Sequence, residues 1–428
     1  MLKKILFFIL KKRLNLSRVE AIYRTIVSAS ELEKFSNNQI DKLIGFVSKN
    51  NSYYKNIKYI NNSVPLLTKP LINKNFKKLK SKKFFTKTYL NSSGGSTGKS
   101  QTFLQDYNYS NWSSATVLFY YRNILGVDPN CAKKIVLWGS ERDIFNQRDY
   151  PNIISNWLTN TVFLNSFKLD EKILDQYIQT IKNYQPVYIR GYAGSLYQLS
   201  KQAKNRGVSF KGIKFVSSAA EKLRDFMKKE ITETFNCPVY DFYGSREVGA
   251  IAGECTKNNM HLFTFNNIVE IVDRSNKRIC DGKKGKIVVS NLHNYSMPLI
   301  RYEIGDIGSI TSKKCDCRLK LPILSEIDGR ITDHFVKKNG EMIHGEYFTH
   351  LFYFRNWVKE FQVTQESYDL IIIDIVKKGL RSIKDIEDIS NKIKLVMGNR
   401  CIVKWRYVNN IKKTPQGKYI FTRCLVKQ

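Results

Sequence analysis

The chain has 428 residues, 42% hydrophobic and 13% aromatic, enough for a large packed core over two or three domains, and this composition argues against general disorder. Lysine and arginine total 71 against 37 acidic residues, a formal charge of +34. A charge of that size points to an anionic partner such as nucleic acid or an acidic membrane face. The cations nevertheless come in scattered pairs and triplets, as on the solvated faces of a Lys-, Ile- and Asn-rich chain, and not as one block.

The N-terminal MLKKILFFILKKRLN holds the apolar run ILFFIL between lysines. That run is too short for a signal-peptide core or a membrane span. It reads equally as a short interfacial helix with snorkelling lysines or as a first helix docked on the body. The expected location is cytoplasmic, with at most a peripheral contact at the inner membrane face. Eight cysteines in such a chain read as thiols and not as a disulfide framework.

Residues 1–90 read as helix-rich and basic, closing on the turn-prone VPLLTKP and a Lys-rich run to Lys83. Beyond residue 100, KKIVLWGS (133–140), PVYIRGY (186–192) and IKFVSSAA (213–220) read as buried strands. DEKILDQYIQTIKNY (170–184) and AGSLYQLSKQAKNRG (193–207) read as helices, the second closed by Gly207. This alternation predicts an α/β core with a mostly parallel sheet. KGKIVVSNL (284–292) opens a β-rich section. After Asp333 come a hairpin at VKKNGEMI, a helix near EYFTHLFYF and a strand pair at EFQV and YDLIIIDIV. A helix at IKDIEDISNKIKLVMG and a final strand CIVKWRYV complete a small α+β unit. The expected division is 1–90, 91–332 and 333–428, with a hinge at Asp333.

NSSGGSTGKS (91–100) has the look of a phosphate-binding loop but fails the Walker pattern. Three residues, not four, separate Gly94 from Gly98, and Ser93 stands where the first glycine belongs. Four later stretches accompany it: DFYGSREVGA (241–250), MPLIRYEIGDIG (297–308), EIDGRITDHF (326–335) and KKTPQGKY (412–419). Singly each reads as a loop or a surface charge. In this order, from LTKP to Lys418, they resemble the adenylate-forming acyl- and aryl-CoA ligases. The narrower resemblance is to the phenylacetate–CoA ligase group and its relatives in capsular polysaccharide gene clusters.

The resemblance implies a large adenylate-forming domain, α/β with parallel-type sheets and a β-rich subdomain, and a small mobile α+β domain at the C-terminus. It implies that Ser92, Ser93, Gly94, Gly95, Ser96, Thr97, Gly98 and Lys99 form a mobile loop on the β- and γ-phosphates of ATP. Glu247 would be the Mg²⁺ carboxylate. Arg246 replaces the family's usual Thr or Ser and would contact the α-phosphate. Tyr243 would lie on adenine with Asp241 at its amino edge and Gly244 allowing close approach; Phe242 and Ser245 belong to the same stretch. Ser218, Ala219, Ala220 and Glu221 match the stretch lining adenine and the acyl pocket, although SSAA is equally ordinary strand-end packing. Asp306 would hold the ribose diol, and Arg330 would donate to ribose or phosphate. Arg301 reads as a brace of that loop. Lys418 would be the catalytic lysine, withdrawn after adenylation by rotation about Asp333. Trp138, Arg142 and Arg190 read first as structural; on the acyl side, an Arg there would favour an anionic or polar acid over phenylacetate.

Cys255, His261, Cys315 and Cys317 can supply three thiolates and an imidazole to a structural zinc ion. The C-x-C spacing is unusual, and CDCRL departs from the CxCGR of the relatives, so reduced cysteines near a surface turn stay open as the alternative. The expected activity is Mg²⁺-ATP-dependent activation of a carboxylic acid, then acyl transfer to a thiol such as CoA. Transfer to a sugar amine or hydroxyl without CoA is the alternative within enzymes, and a basic polyanion-binding protein is the alternative from another class.

Overall fold

The computed structural model describes residues 16–25, 29–57, 64–83, 86–93, 101–138, 156–166, 169–273, 275–279, 281–317, 319–328, 335–339, 342–343, 345–352, 355, 357–411 and 421–426. The N-terminal apolar run, the loop Gly94–Lys99, Arg142, Arg330, Asp333 and Lys418 lie outside the described residues.

Helices α1 (Leu16–Thr25) and α2 (Ala29–Asn50) precede a short helix α3 (Lys69–Lys74), which starts after Thr68 with a proline in its first turn. Strands β1 (Thr88–Ser93) and β2 (Gln101–Asp106) pair antiparallel, so Asn91, Ser92 and Ser93 of NSSGGSTGKS are the last residues of β1. Asp106 caps the following helix α4 (Tyr107–Phe119), accepting from Tyr109 N at 2.8 Å. The same carboxylate accepts from Tyr295 N and Ser296 N, each at 3.0 Å, and so ties the hairpin to the stretch before Met297.

Eleven strands then make one sheet, ordered β10-β11-β12-β13-β9-β8-β7-β6-β5-β3-β4. Its parallel half is β3 (Lys134–Trp138), β4 (Thr161–Asn165), β5 (Tyr188–Tyr192), β6 (Phe215–Ala219) and β7 (Val239–Ser245). Helices α5 (Glu171–Tyr184), α6 (Ala193–Asn205) and α7 (Asp225–Phe235) connect these strands. In α5 the side chain of Asp170 accepts from Ile173 N, and Leu174, Ile178 and Ile181 fall on one buried stripe. The antiparallel half comprises β8 (Gly249–Glu254), β9 (Met260–Leu262), β10 (Asn267–Val272), β11 (Gly285–Asn291), β12 (Tyr302–Thr311) and β13 (Ile323–Asp328). The expected parallel core and β-rich section are thus two halves of one sheet, joined at the β7–β8 turn.

A two-stranded hairpin, β14 (Phe335–Val336) with β15 (Met342–Ile343), opens the C-terminal part. Helix α8 (Gly345–His350), strands β16 (Val358–Ser367) and β17 (Leu370–Lys377), helix α9 (Ile383–Met397) and strand β18 (Ile402–Tyr407) follow. CIVKWRYV is not the last strand: β19 (Thr422–Cys424) pairs parallel to β16 and completes the order β18-β17-β16-β19. Three residues carry too little pattern for sequence reading to find it. Phe335, Phe352, Phe361, Ile373, Ile393 and Phe421 are buried in the core of this unit. Among the described residues no helix is long and apolar enough to cross a membrane.

Candidate active site

The turn after β7 presents Glu247, which is 3% exposed. The Tyr302 hydroxyl donates to its Oε1 at 3.1 Å, and Lys69 Nζ lies 3.7 Å from the same oxygen. The backbone explains how a residue 178 positions earlier gets there. Leu67 pairs in parallel with Tyr302: its N–H donates to Arg301 O at 2.9 Å, and Glu303 N donates back to Leu67 O at 3.0 Å. This bridge delivers Lys69, two residues on, to the carboxylate. Sequence reading took LLTKP for a turn and missed Lys69. The signal was a lysine in the first turn of a helix, where the macrodipole disfavours a cation unless an anion compensates.

Glu247 and Arg246 are clipped to the base of the β1–β2 hairpin. Gln105 Nε2 donates to Arg246 O at 2.7 Å, and the Tyr109 hydroxyl donates to the same carbonyl at 3.2 Å. Asn91 orients Gln105 through its amide at 2.9 Å. The exposed Arg246 side chain turns back to the hairpin, Nη1 donating to Ser92 O at 3.4 Å. Gly244 has a backbone reason to be glycine: an added Cβ would stand 2.7 Å from Gly249 O across the turn. Ser245 belongs to the same turn, its hydroxyl accepting from Val248 N at 3.4 Å.

Tyr243 donates its phenol to Asp306 Oδ2 at 2.8 Å, joining two of the expected nucleotide residues from strands β7 and β12. Phe242 turns to the other face, onto Tyr120 and Phe263. Asp241 stands beside Ser218 in the β6–β7 register. Burial, then the nearby Glu254 carboxylate, pushes the Asp241 carboxyl up to about 7. Glu254 accepts from Asp241 N at 2.8 Å and from Lys228 Nζ at 2.6 Å.

Ala219 ends β6, and Ala220 takes a left-handed backbone at φ 69, which a residue with a Cβ adopts only under constraint. Glu221 Oε2 accepts from Gly194 N at 2.9 Å, at the N-terminus of α6, so this carboxylate caps a helix. Arg301, 1% exposed, braces the loop before β12, donating to Glu270 Oε2 at 3.2 Å, Val64 O at 2.8 Å and Asn276 O at 3.1 Å.

Away from this face, the ligand atoms of Cys255, His261, Cys315 and Cys317 lie within 4.8 Å of one another. Cys255 and Cys315 sulfurs are 3.7 Å apart, close to the ~3.8 Å edge of a tetrahedron with ~2.3 Å Zn–S bonds. His261 Nδ1 lies 2.9 Å from Leu321 O, the usual donor–acceptor arrangement that leaves Nε2 as the lone-pair nitrogen. That Nε2 is 3.1 Å from Cys317 Sγ. The donor set and its spacing fit a zinc ion. At the other face, one buried carboxylate beside the hairpin fits Mg²⁺, which takes one or two protein carboxylates plus phosphate oxygens.

Residues 335–424 match the CapK C-terminal domain. The chain is 25% identical to protein CapK of Staphylococcus aureus over 96% of this chain and 93% of that one. It is 24% identical to the phenylacetate-coenzyme A ligase of Thermus thermophilus over 38% of each chain. Among solved structures, 2-hydroxyisobutyryl-CoA ligase with 2-HIB-AMP and CoA in the thioesterification state superposes with a TM-score of 0.62. That match is 17% identical and covers 94% of this chain and 92% of the ligase. An open conformation of the same ligase gives a TM-score of 0.57 at 16% identity, over 93% of each chain. The chain is therefore a homologue of CapK and of the phenylacetate-CoA ligases, with the fold of the adenylate-forming CoA ligases and a CapK C-terminal domain.

Proposed function

We propose that the chain activates a carboxylic acid with Mg²⁺-ATP and passes the acyl group to a thiol such as CoA. One observation carries this reading: motifs 55 to 154 residues apart meet through side-chain hydrogen bonds. The Ser92 carbonyl accepts from Arg246, Glu247 is held by Tyr302, and Tyr243 is bonded to Asp306. In the first half-reaction a carboxylate oxygen attacks the α-phosphorus, and the bond to the β-phosphate breaks to release pyrophosphate. Both reactants are anionic, so the site must offset their repulsion. Glu247 would hold Mg²⁺, which would neutralise phosphate charge. Lys69, Arg246 and residues 94–99 would supply fixed positive charge and amide donors to the phosphates.

Asp306 is suited to a ribose diol because a carboxylate accepts two hydroxyl bonds, with Tyr243 orienting it. Lys418 would bridge the acid and the α-phosphate. In the second half-reaction a thiolate attacks the acyl carbon, AMP leaves, and the thiol proton passes to solvent. The Cys255, His261, Cys315 and Cys317 set would hold a structural zinc ion that pins the β8–β9 turn to the loop before β13. A second reading, a sugar amine or hydroxyl as acceptor, is favoured by the near full-length likeness to CapK, against the partial match to the phenylacetate-CoA ligase.

The test is acid-dependent ATP–pyrophosphate exchange over a panel of carboxylic acids. Exchange with at least one acid is expected, and Lys418→Ala should lower it by orders of magnitude. Exchange that survives Lys418→Ala unchanged would refute the assigned chemistry. Acyl transfer to CoA and to amino sugars then separates the two acceptors.

A further inference from the structure

Arg190 lies at the centre of β5, within YIRGY, whose other residues are buried. A cation inside a parallel sheet needs compensation, normally a carboxylate or carbonyls. Among the described residues its charged face meets aromatic rings. The guanidinium carbon is 5.2 Å from the Trp138 ring centre and 5.7 Å from the Phe242 ring centre. Trp138, from β3, also packs on Tyr192 at 4.4 Å. Arg190 Nε is buried with no hydrogen-bond partner among the described residues. Cation–π contact satisfies the face of a guanidinium and leaves its in-plane N–H groups for an acceptor.

The position says what that acceptor is. Ligands of open α/β sheets bind outside the carboxyl ends of parallel strands, and β5, β6 and β7 end here side by side. Phe242 stands between Asp241 and Tyr243 in sequence and opposite Ala219 in register. Arg190, opposite Ser217, shares that face of the sheet. An acid joined to phosphate on the Tyr243 side would cross the end of β6 past the small side chain of Ala219 to reach the guanidinium on the Phe242 face.

We propose that Arg190 is the specificity-determining residue of the acyl pocket, and that the acid this chain activates carries a second anionic group gripped edge-on by Arg190. The shared chemistry is a planar or tetrahedral oxyanion, a second carboxylate or a phosphate-like group. This inference rests on the adenylation reading.

The experiment measures kcat/KM for ATP–pyrophosphate exchange with matched acids: butyrate, succinate and 3-phosphonopropionate, then phenylacetate and 4-carboxyphenylacetate. Dicarboxylic and uronic acids widen the panel. The wild type should favour the best dianionic acid over its monoanionic partner by about 100-fold or more, because a site built around a polar group rejects analogues lacking it. Succinate against 3-phosphonopropionate decides which oxyanion is meant. Arg190→Gln should bring the ratio near unity, and Arg190→Lys should restore part of it. Preference for the monoanionic acid, or a ratio unchanged by Arg190→Gln in a variant whose thermal midpoint is retained, overturns the proposal. Calorimetric titration with succinate keeps the two readings apart. Arg190-dependent binding without exchange by any acid sinks adenylation and leaves the anion subsite standing; absence of both sinks both.

Discussion

Replacing Lys69 by methionine removes an ammonium 3.7 Å from a carboxylate oxygen while keeping most of the side-chain volume. The side chains are 13% and 4% exposed, so solvent screens this pair poorly. At an effective dielectric constant of about 20, the Coulomb attraction at that separation is about 4.5 kcal/mol. Desolvation of the ammonium offsets part of it, while stranding the carboxylate of a buried pair costs about 3–5 kcal/mol. Lys69→Met should therefore destabilise the chain by about 3 kcal/mol, read as a lower urea midpoint at unchanged slope. Glu247→Gln in the same chain should recover much of that loss, because the stranded charge is gone. The double-mutant cycle then reports the coupling directly.

Adding Mg²⁺ and ATP sharpens the test. A divalent ion at Glu247 would replace the missing charge, so the stability deficit should shrink as Mg²⁺-ATP is raised. Exchange activity, where Lys69 would face phosphate, should fall about 100-fold, the usual scale for one electrostatic group. An unchanged urea midpoint with unchanged exchange would refute the coupling of Lys69 to Glu247. A deficit that Mg²⁺-ATP leaves untouched would refute the placement of the metal.

Three further outcomes are expected. Purified protein should carry about one zinc per chain by elemental analysis, and chelation or Cys315→Ser should lower the thermal midpoint by about 5 °C or more; metal-free protein indifferent to chelators would refute the site. Asp241, with its carboxyl pushed up to about 7, binds its proton more tightly folded than unfolded. Its ionisation therefore erodes stability as pH rises from about 4 to 7, and Asp241→Asn should flatten the urea midpoint over that window. Arg301→Met should cost about 3–5 kcal/mol by urea unfolding, since it strands the Glu270 carboxylate, and adding Glu270→Met should return most of it.

Much of the fold was legible because the periodicities are clean. YIRGY and FVSSA are strand runs, and DEKILDQYIQTIKNY is an amphipathic helix with its own cap; each element lies within two or three residues of its expected place. The continuity of the sheet was not legible, because a β7–β8 turn that joins parallel to antiparallel strands has no signature beyond Tyr-Gly. Glu247 and Asp306 stood out in the sequence because chemistry constrains residue type over a short stretch, and the structure bonds them to Tyr302 and Tyr243. A residue that arrives by tertiary pairing was not legible. Lys69 is one cation among 71, and only the Leu67–Tyr302 bridge sets it beside Glu247.

That bridge also shows why β12 organises the face. Arg301, at φ 49 just before the strand, is locked by Glu270, Val64 O and Asn276 O, and this fixes where Tyr302 begins. Tyr302 then fixes Glu247, and Leu67 on its flank fixes Lys69. Further along, β12 gains two residues over β11 between the pairs Val288–Glu303 and Lys286–Ile307. Gly305 sits in that bulge at φ 97, a conformation that costs glycine little and a branched residue much. Bulges re-aim side chains, and the next residue is Asp306, bonded to Tyr243. The glycine of RYEIGD is thus a bend in a ruler that carries Tyr302, the anchor of Glu247, at one end and Asp306, the partner of Tyr243, at the other.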